Sequence, residues 1–105
     1  MKARPRYSPE EVARLVSEGR MSAVRSVVSF LINHDYDARE VSEELLTSLA
    51  SRGELIDTCV LKTGVVADEY RVSYEPDGSE WYVKFYVDGE QFVVLLSCWW
   101  YGSVH

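Results

Sequence analysis

The spacing of hydrophobic positions changes near the middle of the chain. Up to residue 50 the apolar residues recur at helical intervals, which predicts amphipathic helices at about 9–18, at 22–33 and from Asp37 to about Ala50. From residue 55 apolar and polar residues alternate, which predicts strands. A run of helices followed by a run of strands indicates an α+β fold, with three N-terminal helices packed on a mostly antiparallel four-stranded sheet.

Local signals support the helix ends. Ser8-Pro9 begins the first helix, since serine is a favoured N-cap and proline at N1 loses no hydrogen bond. Gly19 is a favoured residue just past its end. Asp37 is the expected N-cap of the third helix, with Glu40 three residues on. In the second helix the apolar positions are Val24, Val27, Val28, Leu31 and Ile32.

The expected strands fall at 55–62, within 65–74, and on the two sides of Asp88-Gly89. Asp-Gly between alternating apolar runs predicts a two-residue type I′ hairpin turn. In the strand before it, every second side chain is expected in the core, namely Trp81, Val83, Phe85 and Val87. The opposite side carries Tyr82, Lys84 and Tyr86, which fits an active-site or nucleic-acid face and equally an ordinary half-exposed sheet face.

The chain of 105 residues, 47% of them hydrophobic, fits one domain, 1–105. It divides into a basic arm at 1–7, a helical part at 8–50, a sheet at 55–98 and an aromatic tail at 99–105. A terminal arm is frayed by default, although Arg4, Arg6 and Tyr7 could dock on the body or on a phosphate. No secretory signal or membrane-length apolar run is present, so we expect a cytoplasmic protein without a membrane partner.

The net charge of −6 is unevenly distributed. Residues 1–25 hold six basic and three acidic residues, whereas the other eighty hold five basic and fourteen acidic ones. This acidity argues against non-specific nucleic-acid binding and favours a basic partner. Two cysteines and two histidines at unrelated spacings match no zinc template, and no cofactor motif occurs, so we expect neither metal nor cofactor.

The remaining candidates for catalytic residues are the tyrosines of the predicted strands and their basic neighbours. RNA cleavage by attack of the 2′-hydroxyl needs a proton acceptor, a cation at the phosphate and an acid for the leaving oxygen. Tyrosine, lysine and arginine can fill these roles on a sheet, and aromatic rings can stack unpaired bases. The residues of this kind in the predicted strands are Tyr70, Arg71, Tyr82, Lys84 and Tyr86.

The order of several segments resembles the MqsR family, toxins of bacterial type II toxin–antitoxin systems whose fold is related to RelE-type ribonucleases. The matching segments are Tyr7–Arg20, Arg25-Ser26, Asp37–Val41, Leu46–Leu49, Asp68–Arg71, Tyr82–Lys84 and Val94–Ser97. The resemblance covers about residues 6–98. It implies a RelE-like fold and a metal-independent endoribonuclease that cuts messenger RNA (an mRNA interferase) and is neutralised by a cognate antitoxin.

Carried over by position, the family's Tyr-x-Lys motif matches Tyr82 and Lys84. Two family positions depart, because Ala67 stands where the family has a glutamine and Trp99 where it has a lysine. A further family lysine has no clean match, and Lys62 is the candidate to replace it. The losses leave open whether the site is remodelled or catalysis is gone.

The resulting site assignment has two parts. The predicted catalytic residues are Tyr82, Lys84, Arg71 and Lys62, and the predicted RNA-binding residues are Tyr70, Tyr86, Arg4 and Arg6. The second hypothesis is a catalytically inactive RelE-like interaction module that binds a partner through an aromatic patch of Trp99, Trp100 and Tyr101. If these tryptophans pack in the core instead, that hypothesis weakens. A small-molecule enzyme is the third hypothesis.

Overall fold

The computed structural model of the chain describes residues 4–101, in which four helices pack against a five-stranded sheet. The helices are α1 (Pro9–Ser17), α2 (Arg25–Asn33), α3 (Ala38–Thr47) and α4 (Leu49–Arg52). The strands are β1 (Met21–Ala23), β2 (Gly53–Val60), β3 (Val66–Tyr74), β4 (Ser79–Val87) and β5 (Val93–Trp100). The α+β class is confirmed. The outer parts of the predicted arm and tail, residues 1–3 and 102–105, lie outside the described residues.

The sheet is mixed and has the order β1-β5-β4-β3-β2. Its four C-terminal strands are antiparallel neighbours, as the alternating pattern predicts, but β1 is a fifth strand that runs parallel to β5. The prediction of four strands was therefore wrong. The prediction that a helix covers residue 22 onwards was also wrong, because Val93 N donates to Arg20 O and Val24 N donates to Leu95 O, which holds 21–23 extended. Helix α2 begins only at Arg25.

Alternation along β3, β4 and β5 separates the sheet into a covered face, which the helices pack against, and an open face. On the covered face the register brings Tyr70 opposite Val83 and Val83 opposite Cys98. The buried side chains of this face in the three strands are Tyr70, Val72, Tyr74, Trp81, Val83, Phe85, Val93, Leu95 and Cys98. The predicted inward direction of Trp81, Val83 and Phe85 is confirmed.

The helices mostly follow their sequence signals. Ser8 caps α1, and past its end Gly19 adopts φ 80° while Arg20 N donates to Leu15 O, which is a Schellman ending. Asp37 accepts a hydrogen bond from Glu40 N at 2.9 Å and begins α3. The predicted third helix is divided at Ser48, whose hydroxyl donates to the carbonyl of Glu44, so α4 is a separate short turn.

One predicted core position of α2 was wrong. Val27 and Leu31 are buried, but Ile32 is 59% exposed because only a narrow stripe of this short helix meets the sheet. The chain between α2 and α3 instead contributes Tyr36, whose ring lies against Trp81 on the covered face. The helix therefore packs through fewer positions than its apolar pattern indicates.

The β4–β5 connection differs from the predicted two-residue turn. It is a longer loop, 88–92, closed by a hydrogen bond from Asp88 N to Phe92 O at 2.9 Å. The Asp88 carboxylate accepts from the backbone amides of Glu90 and Phe92, which orders the loop interior. Gln91, rather than Gly89, adopts the left-handed conformation, with φ 65°. The hairpin prediction was right and its turn type was wrong.

The chain before α1 docks on the sheet. Asp68, fully buried on β3, accepts hydrogen bonds from the backbone amides of Arg6 and Tyr7, each at 2.9 Å, and from the Thr58 hydroxyl at 3.0 Å. The Tyr7 hydroxyl also donates to Val66 O at 2.7 Å. The arm from residue 6 is thus bound to the body, contrary to the default of a frayed end. Within the described part of the chain no helix is long and apolar enough to cross a membrane.

Candidate active site on the open sheet face

The open face brings together side chains from four strands. Sheet register places Glu69 opposite Lys84, Arg71 opposite Tyr82, and Tyr82 opposite Trp99. Neighbouring strands are about 4.8 Å apart, so these side chains form two adjacent rows across the sheet. Of the predicted catalytic residues, Tyr82, Lys84 and Arg71 are therefore brought together.

Glu69 is the centre of this arrangement. Its Oε1 accepts a hydrogen bond from the Tyr82 hydroxyl at 2.5 Å, and its carboxylate is near enough to the Cys59 thiol to raise the pKa of that thiol. Lys84 lies directly opposite it on β4, and Asp57 lies directly opposite on β2. One carboxylate thus accepts a hydrogen bond from a phenol and has a cysteine and a lysine on the neighbouring strands.

The electrostatic environment favours the protonated phenol. Partial burial raises the pKa of Tyr82 well above its usual value, and the hydrogen bond to the Glu69 carboxylate raises it further because a phenolate there would meet a negative charge. Burial and the same carboxylate also raise the pKa of the Cys59 thiol, while Lys84 acts in the opposite direction. At neutral pH Tyr82 is a proton donor that already points at an acceptor.

Arg71 is held in the row next to Glu69. Its guanidinium lies 3.1 Å from Glu54 and 3.2 Å from Glu80, measured between nitrogen and carboxylate oxygen. It also lies over the ring of Tyr101, with Cζ 5.2 Å from the ring centre. These contacts fix the direction of the guanidinium and neutralise part of its charge.

The C-terminal aromatic residues do not form one patch. Trp99 is on the open face and stacks on Tyr82, with ring centres 5.6 Å apart and planes at 20°. Trp100 is on the covered face against Phe30 and Tyr36, since successive residues of a strand point to opposite faces. The predicted tail therefore begins too early, because β5 runs to Trp100 and divides its aromatic residues between the two faces.

The remaining predicted residues lie in four places. Tyr70 was predicted to bind RNA, but it is only 3% exposed on the covered face, where its ring stacks on Phe85 and burial raises its pKa to about 12. Lys62 is exposed in the β2–β3 turn, beyond the end of the ladder at Val60 and Val66. The end of the ladder lies three residue pairs, or about 10 Å, from Glu69 along the strands, and Lys62 is two residues beyond it.

Tyr86 and Arg6 lie at another part of the molecule. Both line a depression of about 480 Å³ formed by the arm, the β2–β3 turn and the β4–β5 loop. Tyr86 shares the open face of β4 with Lys84, two residues away. Arg4 is exposed on the arm, where its carbonyl accepts from the Thr58 hydroxyl at 3.4 Å. These residues flank the Glu69 cluster and do not join it.

Sequence reasoning did not assign Glu69 and Cys59 to the site. The alternation of β3 places Glu69 on the same side as Arg71, which was a usable signal. Its pairing with Lys84 depends on the length of the β3–β4 turn, and the place of Cys59 depends on an irregularity in β2 between Leu55 and Asp57. Neither feature has a signature in the local sequence.

Comparisons with known proteins add no assignment to this site. No protein-family model, no curated protein and no solved structure matches the chain. Across residues 4–101, no group of three or more histidine, cysteine, aspartate or glutamate side chains is arranged to hold a metal ion. The residues of the open face are therefore the basis for a functional proposal.

Proposed function

We propose that the chain is a metal-independent endoribonuclease, a RelE-like toxin of the MqsR type that is neutralised by a cognate antitoxin. The observation that carries the proposal is the 2.5 Å hydrogen bond from the Tyr82 hydroxyl to Glu69, with Lys84 opposite Glu69, on a sheet face that none of the four described helices covers. An acid, a base and a cation within one cluster are the groups that attack by a 2′-hydroxyl requires.

In the proposed reaction Glu69 accepts the proton of the 2′-hydroxyl. The 2′-oxygen then bonds to the adjacent phosphorus while the bond from phosphorus to the 5′-oxygen breaks. Tyr82 donates its proton to the departing 5′-oxygen, which leaves a 2′,3′-cyclic phosphate on one fragment and a 5′-hydroxyl on the other. The hydrogen bond between the two side chains then returns the proton from Glu69 to Tyr82.

The cations and rings of the face supply binding. Lys84 adjoins Glu69 and would stabilise the additional negative charge on the phosphorane. Arg71 would contact a neighbouring phosphate, and Trp99 would stack an unpaired base, which replaces the charge of the family's lysine by an aromatic surface. The substrate would be single-stranded RNA, because stacking of this kind needs a base that is free of its partner.

The test measures cleavage by purified protein with a chelator present. The native chain is expected to release 2′,3′-cyclic phosphate ends from single-stranded RNA, and Tyr82→Phe or Glu69→Gln to lower the rate by about 100-fold or more. Tyr36→Phe is the matched control, because its hydroxyl interacts with Asp77 away from the open face. Cleavage that persists in both variants, or is absent from the folded native chain, contradicts the proposal.

One observation favours the alternative of a catalytically inactive, RelE-like interaction module. The open face carries four carboxylates (Glu54, Asp57, Glu69 and Glu80) against the two cations Arg71 and Lys84, an excess that suits a basic partner better than a phosphate backbone. This module would not use the aromatic patch first considered, since Trp100 is on the covered face. Binding of a basic protein without RNA cleavage would favour this alternative.

A further inference from the structure

The two ends of the sheet differ in what they expose. At one end β1 is three residues long, whereas at the other end β2 is an eight-residue strand whose one strand partner among residues 4–101 is β3. The arm touches this strand where the Thr58 hydroxyl donates to Arg4 O. Natural edge strands are usually protected by being short, or by lysine, proline or a bulge. Strand β2 contains neither lysine nor proline, and its irregularity at Ile56 leaves the following segment, 57–60, in regular pairing.

The backbone of this segment has groups directed away from the sheet. Leu61 N donates to Val65 O, so alternation makes Asp57 and Cys59 the hydrogen-bonded partners of β3. Thr58 and Val60 then direct their N–H and C=O groups outward. The outward N–H of Thr58 is held at 2.8 Å by the side chain of Asp57, a partner that an incoming strand can displace.

The side chains along this edge select a type of strand. Asp57 lies opposite Glu69 across the ladder, so two carboxylates adjoin on the open face with no basic residue in β2. Like charges in this position destabilise a sheet unless a cation joins them. At the same edge Val60 is 71% exposed and Ile56 is 42% exposed. The edge thus combines an acidic open side with unburied apolar groups.

We propose that β2 is a docking edge for an extended, basic strand of a partner protein, which adds to the sheet along residues 57–60. The partner's outward carbonyl takes the Thr58 N–H from Asp57, and its lysine or arginine side chains lie beside Asp57 on the open face. Its apolar side chains cover Val60. A second copy of the chain does not suit this edge, because self-pairing would bring the acidic β2 residues of both copies together.

Such a strand would also affect the open face. Its basic side chains would lie beside Asp57, one strand away from Glu69, and would extend toward the carboxylate that holds Tyr82. This consequence rests on the proposed ribonuclease function, in which the partner would be the antitoxin and the strand its inhibitory segment. Docking itself does not depend on cleavage, and the two are measured separately.

The experiment uses the full chain and a peptide of the same length as β2 in which lysine and valine alternate, with both ends blocked. Affinity is measured by calorimetry, and protection of each amide by hydrogen exchange. We expect saturable binding with slower exchange of the Thr58 and Val60 amides, and a loss of about tenfold or more when alternate peptide amides are N-methylated. Asp57→Asn keeps an acceptor for Thr58 N–H and should weaken binding chiefly at low salt.

A matched pair of variants locates the interaction. Val60→Lys places a cation on the edge and should reduce affinity by about tenfold, whereas Ile32→Lys adds the same charge at an exposed position of α2 and should not. Equal binding of the N-methylated peptide, protection at Met21–Ala23 instead of β2, or a dimer that protects β2 without peptide would each overturn the proposal. If the chain does not cleave RNA but the peptide still slows exchange of the Thr58 and Val60 amides, the docking proposal stands and the ribonuclease proposal fails.

Discussion

The covered and open faces of the sheet are made from alternate residues of the same strands, yet they are built differently. On the covered face Trp81 is fully buried and contacts Phe30, Tyr36 and Trp100 through their rings. On the open face, one residue along, Tyr82 remains partly exposed and contacts Glu69 and Trp99. The covered face stabilises the fold through its buried apolar area, and the open face positions titratable groups with little burial.

The strongest test of this difference compares two tryptophans of the sheet. Trp81→Ala should lower the free energy of unfolding by about 3–5 kcal/mol, because it opens a cavity in the fully buried cluster. Trp99→Ala should cost only about 1 kcal/mol, since its ring is only partly buried and stacks on Tyr82. Urea denaturation measures both, and similar losses would show that the faces are not distinct.

Asp68 tests how a polar group is accommodated among the buried residues. Asp68→Ala should cost about 3 kcal/mol, because three donors from Arg6, Tyr7 and Thr58 lose a charged acceptor. Asp68→Asn keeps one carbonyl oxygen and should cost clearly less. Denaturation of both variants, with hydrogen exchange at Arg6 and Tyr7, distinguishes release of the arm from a general loss of stability.

Alkaline pH should lower the stability of the fold, because the buried Tyr70 phenol then loses its proton. Burial raises the pKa of Tyr70 to about 12, whereas an unfolded tyrosine titrates near 10. The protonated phenol is therefore favoured by folding, its contribution is complete below about pH 10, and it is lost as the pH rises towards 12. Tyr70→Phe should flatten the fall of Tm over this window. If the Tm of the variant falls as steeply as that of the native chain, other groups, such as the buried Cys98 thiol, cause the loss.

The smallest effect is expected from the ion pairs of the open face. Arg71→Ala removes contacts to Glu54 and Glu80, but all three side chains are well exposed, so the cost should be below about 1 kcal/mol. The same variant should weaken RNA binding far more, if the proposed function is right. A large loss of stability would mean that this row is structural.

The covered face could be predicted from the sequence because its information is local. Alternation in β4 identifies Trp81, Val83 and Phe85 as buried without knowledge of any partner strand. The strand β1 could not be predicted in this way. Its three residues pair with Val93 and the two residues after it, about seventy positions away, and nothing in a short apolar segment next to a helix signals a parallel partner.

The open face was only partly predictable for the same reason. Tyr82 and Lys84 share a strand, so their common direction follows from the sequence. Glu69 joins them only through the register that the loop 75–78 imposes, and Trp99 reaches Tyr82 only because β5 continues past Ser97. A site that spans strands therefore depends on turn lengths, which sequence patterns predict least well, as the loop at Asp88 shows.

The position of β5 between β1 and β4 has a consequence for how the chain is made. Both neighbours of β5 are synthesised before it, and one of them, β1, comes from the first quarter of the chain. The parallel pair closes a long loop, which costs entropy and slows folding. The sheet cannot be completed until β5 has left the ribosome, so Trp99 reaches Tyr82 only after release of that strand. Each copy therefore emerges with its open face unfinished, and its first chance to meet another protein comes before that face is formed.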